Sequence, residues 1–345
     1  MLINKVSKFI KDKKRNGQNI KVLRGGSSFD DAVFAPMPEV PKFNKSKIIE
    51  GTELECKKVP INSENSGFSY FLDGIERKRV LFNYNFMPVT YGYVAAVIMK
   101  RTDKKMHSIN FENKQENLYL PYREFEDSPA NYFNLDEFAE YGFTPKNTGT
   151  KDKDTGTYPQ FPAEFERRAH SNIQETRGKL ERELALKWVR SGFNDGWLFI
   201  DGRLENKNNE LLNSTNIVGI IKSHHVYYFD HIEQNKIYTL KKGERTSVFQ
   251  PVDSSDSEEN VFTWYLRLHE DNSGGKIDFG IIRVEIPANR ALLGKVDEIS
   301  SWILLETKPV ALPESRWDRM IYPIKYCEDY LKSKAPSWAM IESLA

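Results

Sequence analysis

Two short apolar runs end on the same dipeptide. Phe71-Leu72 leads into Asp73-Gly74, and Phe199-Ile200 leads into Asp201-Gly202. An Asp that closes a buried strand is held on rigid backbone at the lip of a partly desolvated cleft. The Gly after it frees the chain to turn and leaves room for a ligand. Two carboxylates side by side repel each other and attract a divalent cation. Mg2+ and Mn2+ take oxygen ligands, so Asp and Glu are suitable residue types. Ions held in this way activate water and stabilise the leaving oxygen of a phosphodiester. Asp-Gly is also the strongest two-residue hairpin signal. Taken singly, each pair reads first as a turn, and the repeated aromatic-aliphatic-Asp-Gly pattern is what brings a metal site into view.

A third carboxylate would strengthen such a site. Phe165, Ala169, Ile173, Leu180, Leu184 and Trp188 recur at spacings near four and predict one amphipathic helix, with Gly192 as its stop. At about 100° per residue, Glu175 falls on the solvent side of this helix. Glu181 and Glu183 flank the apolar stripe on opposite edges, Glu181 slightly nearer its centre, and either can reach a cleft at the sheet edge. Lys222 follows the apolar run 217 to 221. It could meet a phosphate as a point charge, or simply close a strand as a solvated Lys. Arg283 and Glu285 alternate with Ile282, Val284 and Ile286, so they share one strand face and can pair with each other.

The elements that must carry these residues are legible from periodicity. Strands are expected at 68 to 72, 79 to 86, 91 to 99, 197 to 200 and 217 to 221, and a hairpin at 261 to 268 and 277 to 286 around Asp271-Asn272-Ser273-Gly274-Gly275. Helices are expected at 291 to 305 and from near Tyr322, where Pro323 sits at a tolerated position. Residues 1 to 66 are expected as a basic N-terminal helix followed by an extended arm carrying Pro36, Pro38, Pro41 and Pro60. Residues 67 to 335 form the main domain, with a polar insertion at about 101 to 160, and 336 to 345 form a tail. Helices alternate with strands while hairpins are mixed in, which predicts an α/β domain with a mixed central sheet.

Composition bounds the rest. An apolar share of 39% over 345 residues supports a packed core. Net charge is +1, so any basic surface is local. One such stretch is residues 1 to 24, with Lys5, Lys8, Lys11, Lys13, Lys14, Arg15, Lys21 and Arg24 against Asp12. It reads equally as a solvated helix or as a docking segment. The two cysteines, Cys56 and Cys327, form no CxxC pair, and the chain has no GxxxxGK[ST], GxGxxG, HExxH or GxSxG run. His224 and His225 are adjacent, so in a strand they point to opposite faces and do not share an ion. No apolar segment is long enough to span a bilayer and the start lacks an apolar signal core, so a reducing cytoplasm is expected.

The order of these motifs resembles the NurA family of DNA-end-processing nucleases. The resemblance runs through the Asp73 strand, Leu180-Glu181-x-Glu183, Asp201-Gly202-x-Leu204, Gly219-Ile220-Ile221-Lys222-Ser223, Tyr265-Leu266-Arg267-Leu268, Ile282 to Pro287 and Tyr322-Pro323. It covers roughly residues 68 to 332. It implies an RNase H-like core, Mn2+ or Mg2+ as cofactor, and cleavage of single-stranded DNA and of duplex ends. It further implies a homodimer docked on a HerA-type hexameric ATPase, in DNA end processing or anti-phage defence. Matched by motif, Asp73, Glu181 and Asp201 are the metal ligands, with Glu183 the alternative helix Glu, and Lys222 and Tyr322 complete the catalytic set. The family often has a His eight residues after that Tyr, whereas this chain has Tyr330, with Glu328 or Asp329 as possible substitutes. Two other readings stay open: a NurA-like subunit that binds DNA or regulates the ATPase without cutting, and an unrelated α/β hydrolytic or sugar-processing enzyme that uses paired carboxylates. Separation of Asp73 from Asp201 would favour the last.

Overall fold

In the computed structural model the described residues are 15, 42–61, 64–84, 87–121, 145–152, 156–204, 209–223, 226–252, 257–270, 277–308 and 317–337. The basic segment (apart from Arg15), His224, His225, the 271 to 275 turn and the tail beyond 337 lie outside them. The strands are β1 (Lys42–Phe43), β2 (Lys45–Ile48), β3 (Cys56–Lys58), β4 (Phe68–Tyr84), β5 (Met87–Thr102), β6 (Lys105–Leu120), β7 (Lys146–Asn147), β8 (Trp197–Asp201), β9 (Ile217–Ile221), β10 (Val226–Tyr227), β11 (Glu244–Thr246), β12 (Phe249–Val252), β13 (Val261–Arg267) and β14 (Ile281–Pro287). The helices are α1 (Pro162–Arg190), α2 (Asn209–Leu212), α3 (His231–Tyr238), α4 (Val296–Glu306) and α5 (Tyr322–Lys334).

The chain is an α/β fold built on one large mixed sheet, whose main path runs β2-β12-β13-β14-β9-β8-β4-β5-β6-β7. β4, β5 and β6 form an antiparallel meander; β8 joins β4 in parallel, and β9 joins β8 in parallel. The sheet then turns antiparallel through β14 and β13. Residues 42–58, expected within an extended arm, instead carry β2 and β3, which pair with β12 and β11 and become part of the sheet.

Two departures from expectation share one cause. The dipeptide Asp73-Gly74 neither turns nor ends its strand: β4 runs straight through it, with Asp73 opposite Val97 and Gly74 opposite Ala96. The tight turn falls instead at Asp103-Lys104, where both residues take left-handed φ (48° and 63°) without a Gly. Residues 105–120, read as the start of a polar insertion, are therefore β6. Much of that strand faces solvent, so its Lys, Glu, Asn and Gln side chains mask it.

The sheet is covered on both sides. Phe165, Ala169, Ile173, Leu180, Leu184 and Trp188 of α1 are all buried, on the predicted stripe. They pack with Tyr70, Leu72, Ala96, Ile98 and Leu198, and each such side chain contributes roughly 1.5–3 kcal/mol on full burial. Pro162 opens α1, and Glu164 accepts from the Phe161 amide; Gly192, at φ +67°, ends it. Strand alternation sends Phe71, Ile75 and Phe199 to the opposite face, against α4 and the Ile324, Cys327 and Leu331 stripe of α5. Among the described residues no helix is long and apolar enough to cross a membrane.

Candidate active site

The register of the two parallel strands brings the Asp residues together. Leu72 pairs with Ile200, so Asp73 and Asp201 are the next residues of adjacent strands, whose backbones lie about 4.8 Å apart. Both follow a residue on the α1 face, so by alternation both point to the α5 face. This adjacency is the opposite of the separation that would favour an unrelated carboxylate enzyme.

The two positions differ in kind. Asp201 ends β8, as expected. Gly202 then takes φ +144°, which only Gly adopts without strain, and its amide donates to Ile220 O at 2.9 Å. Asp73 lies in mid-strand and is 6% exposed. Its Oδ1 accepts the Gly74 amide at 2.8 Å, and among the described residues no Lys or Arg forms an ion pair with it. Burial, and next the charge of Asp201, push its carboxyl well above the usual range; Lys222 and the Gly74 amide pull it back, and Glu181 adds to the rise.

Glu181 arrives from the other layer. Its carboxylate lies over Gly74 so closely that a Cβ there would meet Oε1 at 2.3 Å. Gly74 is thus explained by close approach rather than by a turn. The helical phase separates the two candidates: Glu181 is 16% exposed and turned to the site, whereas Glu183 faces solvent and Glu175 pairs with Lys179 on the outside of α1. Arg177, one turn earlier, donates to Glu181 Oε1 at 3.1 Å. Burial raises the Glu181 carboxyl to about 7; Arg177 opposes this, and Asp201 and Glu76 add to it.

A pH dependence follows. Folded Glu181 holds its proton up to about pH 7, whereas its ordinary value is 4.5. Metal-free stability therefore falls as pH rises between those values, by roughly 3 kcal/mol from this group, and Asp73 acts in the same direction. In chelator, thermal unfolding is expected at a higher temperature at pH 6 than at pH 8.5, and Glu181→Gln should flatten the difference. An equal slope in that variant would refute the Glu181 assignment.

Lys222 also belongs to the cluster: its Nζ donates to Asp201 Oδ2 at 2.8 Å. The strand end that carries it is clamped by Arg319, which donates to Lys222 O and, at 2.6 Å, to Asp278 O. Tyr322 stands apart, 44% exposed in the first turn of α5. Tyr330 faces Glu112, donating to its Oε2 at 3.0 Å, and receives Lys334. Glu328 pairs with Lys325 and Lys332, and Asp329 pairs with Lys325.

Sequence reasoning missed three neighbours. Cys327 is fully buried on α5 and its thiol donates to Phe71 O at 3.6 Å. Burial, and then the charge of Asp73, hold that thiol well above its usual range. Arg177 and Glu76 form an ion pair at 3.4 Å beside Glu181. The i, i+4 spacing of Arg177 and Glu181 was the available signal.

Among the described residues no three Asp, Glu, His or Cys side chains are yet grouped to grip a metal ion. Arg177 and Lys222 occupy two of the three carboxylates, and Glu181 reaches in from the opposite face of β4. The donor set nevertheless fits a hard cation: all three groups offer oxygen, and the buried Asp73 accepts an amide hydrogen bond but, among the described residues, has no ion pair. No protein-family model matches the chain, and no curated protein matches it.

Proposed function

We propose that the chain is a Mn2+- or Mg2+-dependent DNA nuclease with an RNase H-like core, the reading to which the NurA resemblance leads. The observation that carries it is the juxtaposition of Asp73 and Asp201 on neighbouring parallel strands with Glu181 over Gly74. Asp73, Asp201 and Glu181 would hold the metal, which supplies Lewis-acid stabilisation of charge on a phosphodiester and activates water. The residues themselves do the positioning. The β4 backbone fixes Asp73, the Gly202 turn fixes Asp201, and α1 delivers Glu181. Lys222 keeps a positive charge at the rim beside Asp201, where a phosphate oxygen can meet it. The absence of an ATPase motif agrees with a motor supplied by a HerA-type partner, with the chain acting as a homodimer in end processing or defence.

The test is direct and needs purified protein, single-stranded and duplex DNA, and Mn2+, Mg2+ or chelator. Cleavage with either metal and none in chelator is expected; cutting that persists in chelator sinks the proposal. One observation favours a second reading, a non-cutting DNA-binding or regulatory subunit. The position where the family often has His carries Tyr330, which is tied to Glu112 and Lys334. DNA binding without cleavage under every metal condition would select it.

Gly74→Ala separates fold from site. The added methyl meets the flexible end of Glu181, not backbone, so the side chain swings away at little cost to the fold. We expect unchanged or slightly raised stability in chelator with cleavage reduced roughly 10- to 100-fold. Full activity in this variant would mean that Glu181 is dispensable.

A further inference from the structure

A line of charge runs away from Glu181 along the α1 face of β4. Glu76 is two residues past Gly74 and so points to the same face. Its Oε1 accepts Lys78 Nζ at 2.9 Å. Its Oε2 is buried and lies 3.4 Å from Arg177 Nε, near enough for an ion pair but without a hydrogen bond; Arg177 Nε is likewise buried and makes none. The other end of the same guanidinium holds Glu181 Oε1 at 3.1 Å. Arg177 is therefore shared between two carboxylates, well hydrogen-bonded to one and loosely paired with the other. A guanidinium with five donors can shift between such partners without leaving the pair.

We propose that Arg177 is a positioning residue that keeps Glu181 over Gly74 in the metal-free chain and cedes it to a divalent cation, with Glu76 holding Arg177 afterwards. This rests on the metal site proposed above. The physical requirement is charge balance. A buried carboxylate needs a counter-ion before the metal arrives, and that counter-ion needs another anion once it is displaced. Glu76 supplies that anion within reach, and its unsatisfied Oε2 is the open acceptor. Remove Glu76 and Arg177 has only Glu181 to pair with, so it competes with the metal.

Mn2+ titration calorimetry on the full chain tests this, comparing wild type with Glu76→Gln and with Glu76→Gln/Arg177→Gln. Glu76→Gln is expected to weaken Mn2+ binding roughly 10- to 100-fold. Adding Arg177→Gln is expected to recover part of that loss, because no cation then contests Glu181 although nothing holds it over Gly74 before the metal binds. A purely structural defect in the first variant would not be repaired by a second substitution that removes another partner. Unchanged affinity in Glu76→Gln, or a double variant as weak as the single, overturns the role of Arg177 while leaving the metal site standing. A wild-type chain that binds no Mn2+ overturns both.

Discussion

Replacing Asp73 with Asn is expected to abolish Mn2+-dependent DNA cleavage while making the metal-free protein more stable. The two effects have one origin. Asp73 is buried, and burial together with the charge of Asp201 pushes its carboxyl well above the usual range. Asn keeps the shape and can still accept the Gly74 amide, but it removes the charge that the fold tolerates poorly. Losing a metal ligand should cost at least roughly a thousandfold in rate, or about 4 kcal/mol of transition-state stabilisation. Asp201→Asn should lose cleavage to the same degree, without the gain in stability, because it strips Lys222 of its partner in a partly buried ion pair worth about 1 kcal/mol. Cleavage assays paired with unfolding in chelator check both. Wild-type cutting by either variant would show that the carboxylate pair is not the site.

Arg283→Met should destabilise the chain by about 3–5 kcal/mol, the largest stability effect expected of any single change in the ion pairs near the site. Arg283 and Glu285 lie on one face of β14 with almost no exposure, 3.0 Å apart. Arg283 also covers the Tyr228 ring at 4.9 Å. Removing the Arg leaves Glu285 buried without its closest cation. Glu285 also accepts the Leu204 amide through Oε2 at 2.8 Å, which ties down the chain just after Asp201-Gly202. Gly219, opposite Glu285 on β9, has no room for a side chain, since a Cβ would meet Gly202 O at 2.8 Å. The Asp201 turn is thus pressed between β9 and β14. Glu285→Gln keeps an acceptor for Leu204 and should cost less than Arg283→Met; denaturant unfolding of both variants measures the order. The reverse order would mean that a buried Arg283 without its carboxylate costs more here than a buried Glu285 without its guanidinium.

The pairing of Arg283 with Glu285 was legible in the sequence because it depends only on the period of a strand. The same holds for α1. Its stripe from Phe165 to Trp188 follows from a spacing near four, and helical phase put Glu181 slightly nearer its centre than Glu183 but left both within reach of the cleft. The apolar runs that became β8 and β9, the stop at Gly192 and the start of α5 at Tyr322 are likewise local, written in adjacent residues.

Asp-Gly was not legible in this way. At Asp201 it ends a strand, and at Asp73 it passes through the middle of one. The two sequences are alike, but β5 continues to pair with β4 beyond Asp73, whereas β8 stops at Asp201. Whether a dipeptide turns or stays extended is settled by the strand beside it, which can be far away in the chain. The tight turn at Asp103-Lys104 makes the same point from the other side, since pairing of β5 with β6 holds two consecutive residues at left-handed φ without a Gly. The sequence by itself determined the apolar stripe of α1 and the short strand before Asp201, and it left Asp-Gly between turn and ligand and the helix carboxylate between Glu181 and Glu183. Only the tertiary structure decided that β4 and β8 are parallel neighbours in the register that sets Asp73 beside Asp201, and that Lys222 pairs with Asp201 and Arg177 with Glu181. Strand register is a non-local choice made by burial across the whole sheet, and a charge pair between layers exists only once that choice is made.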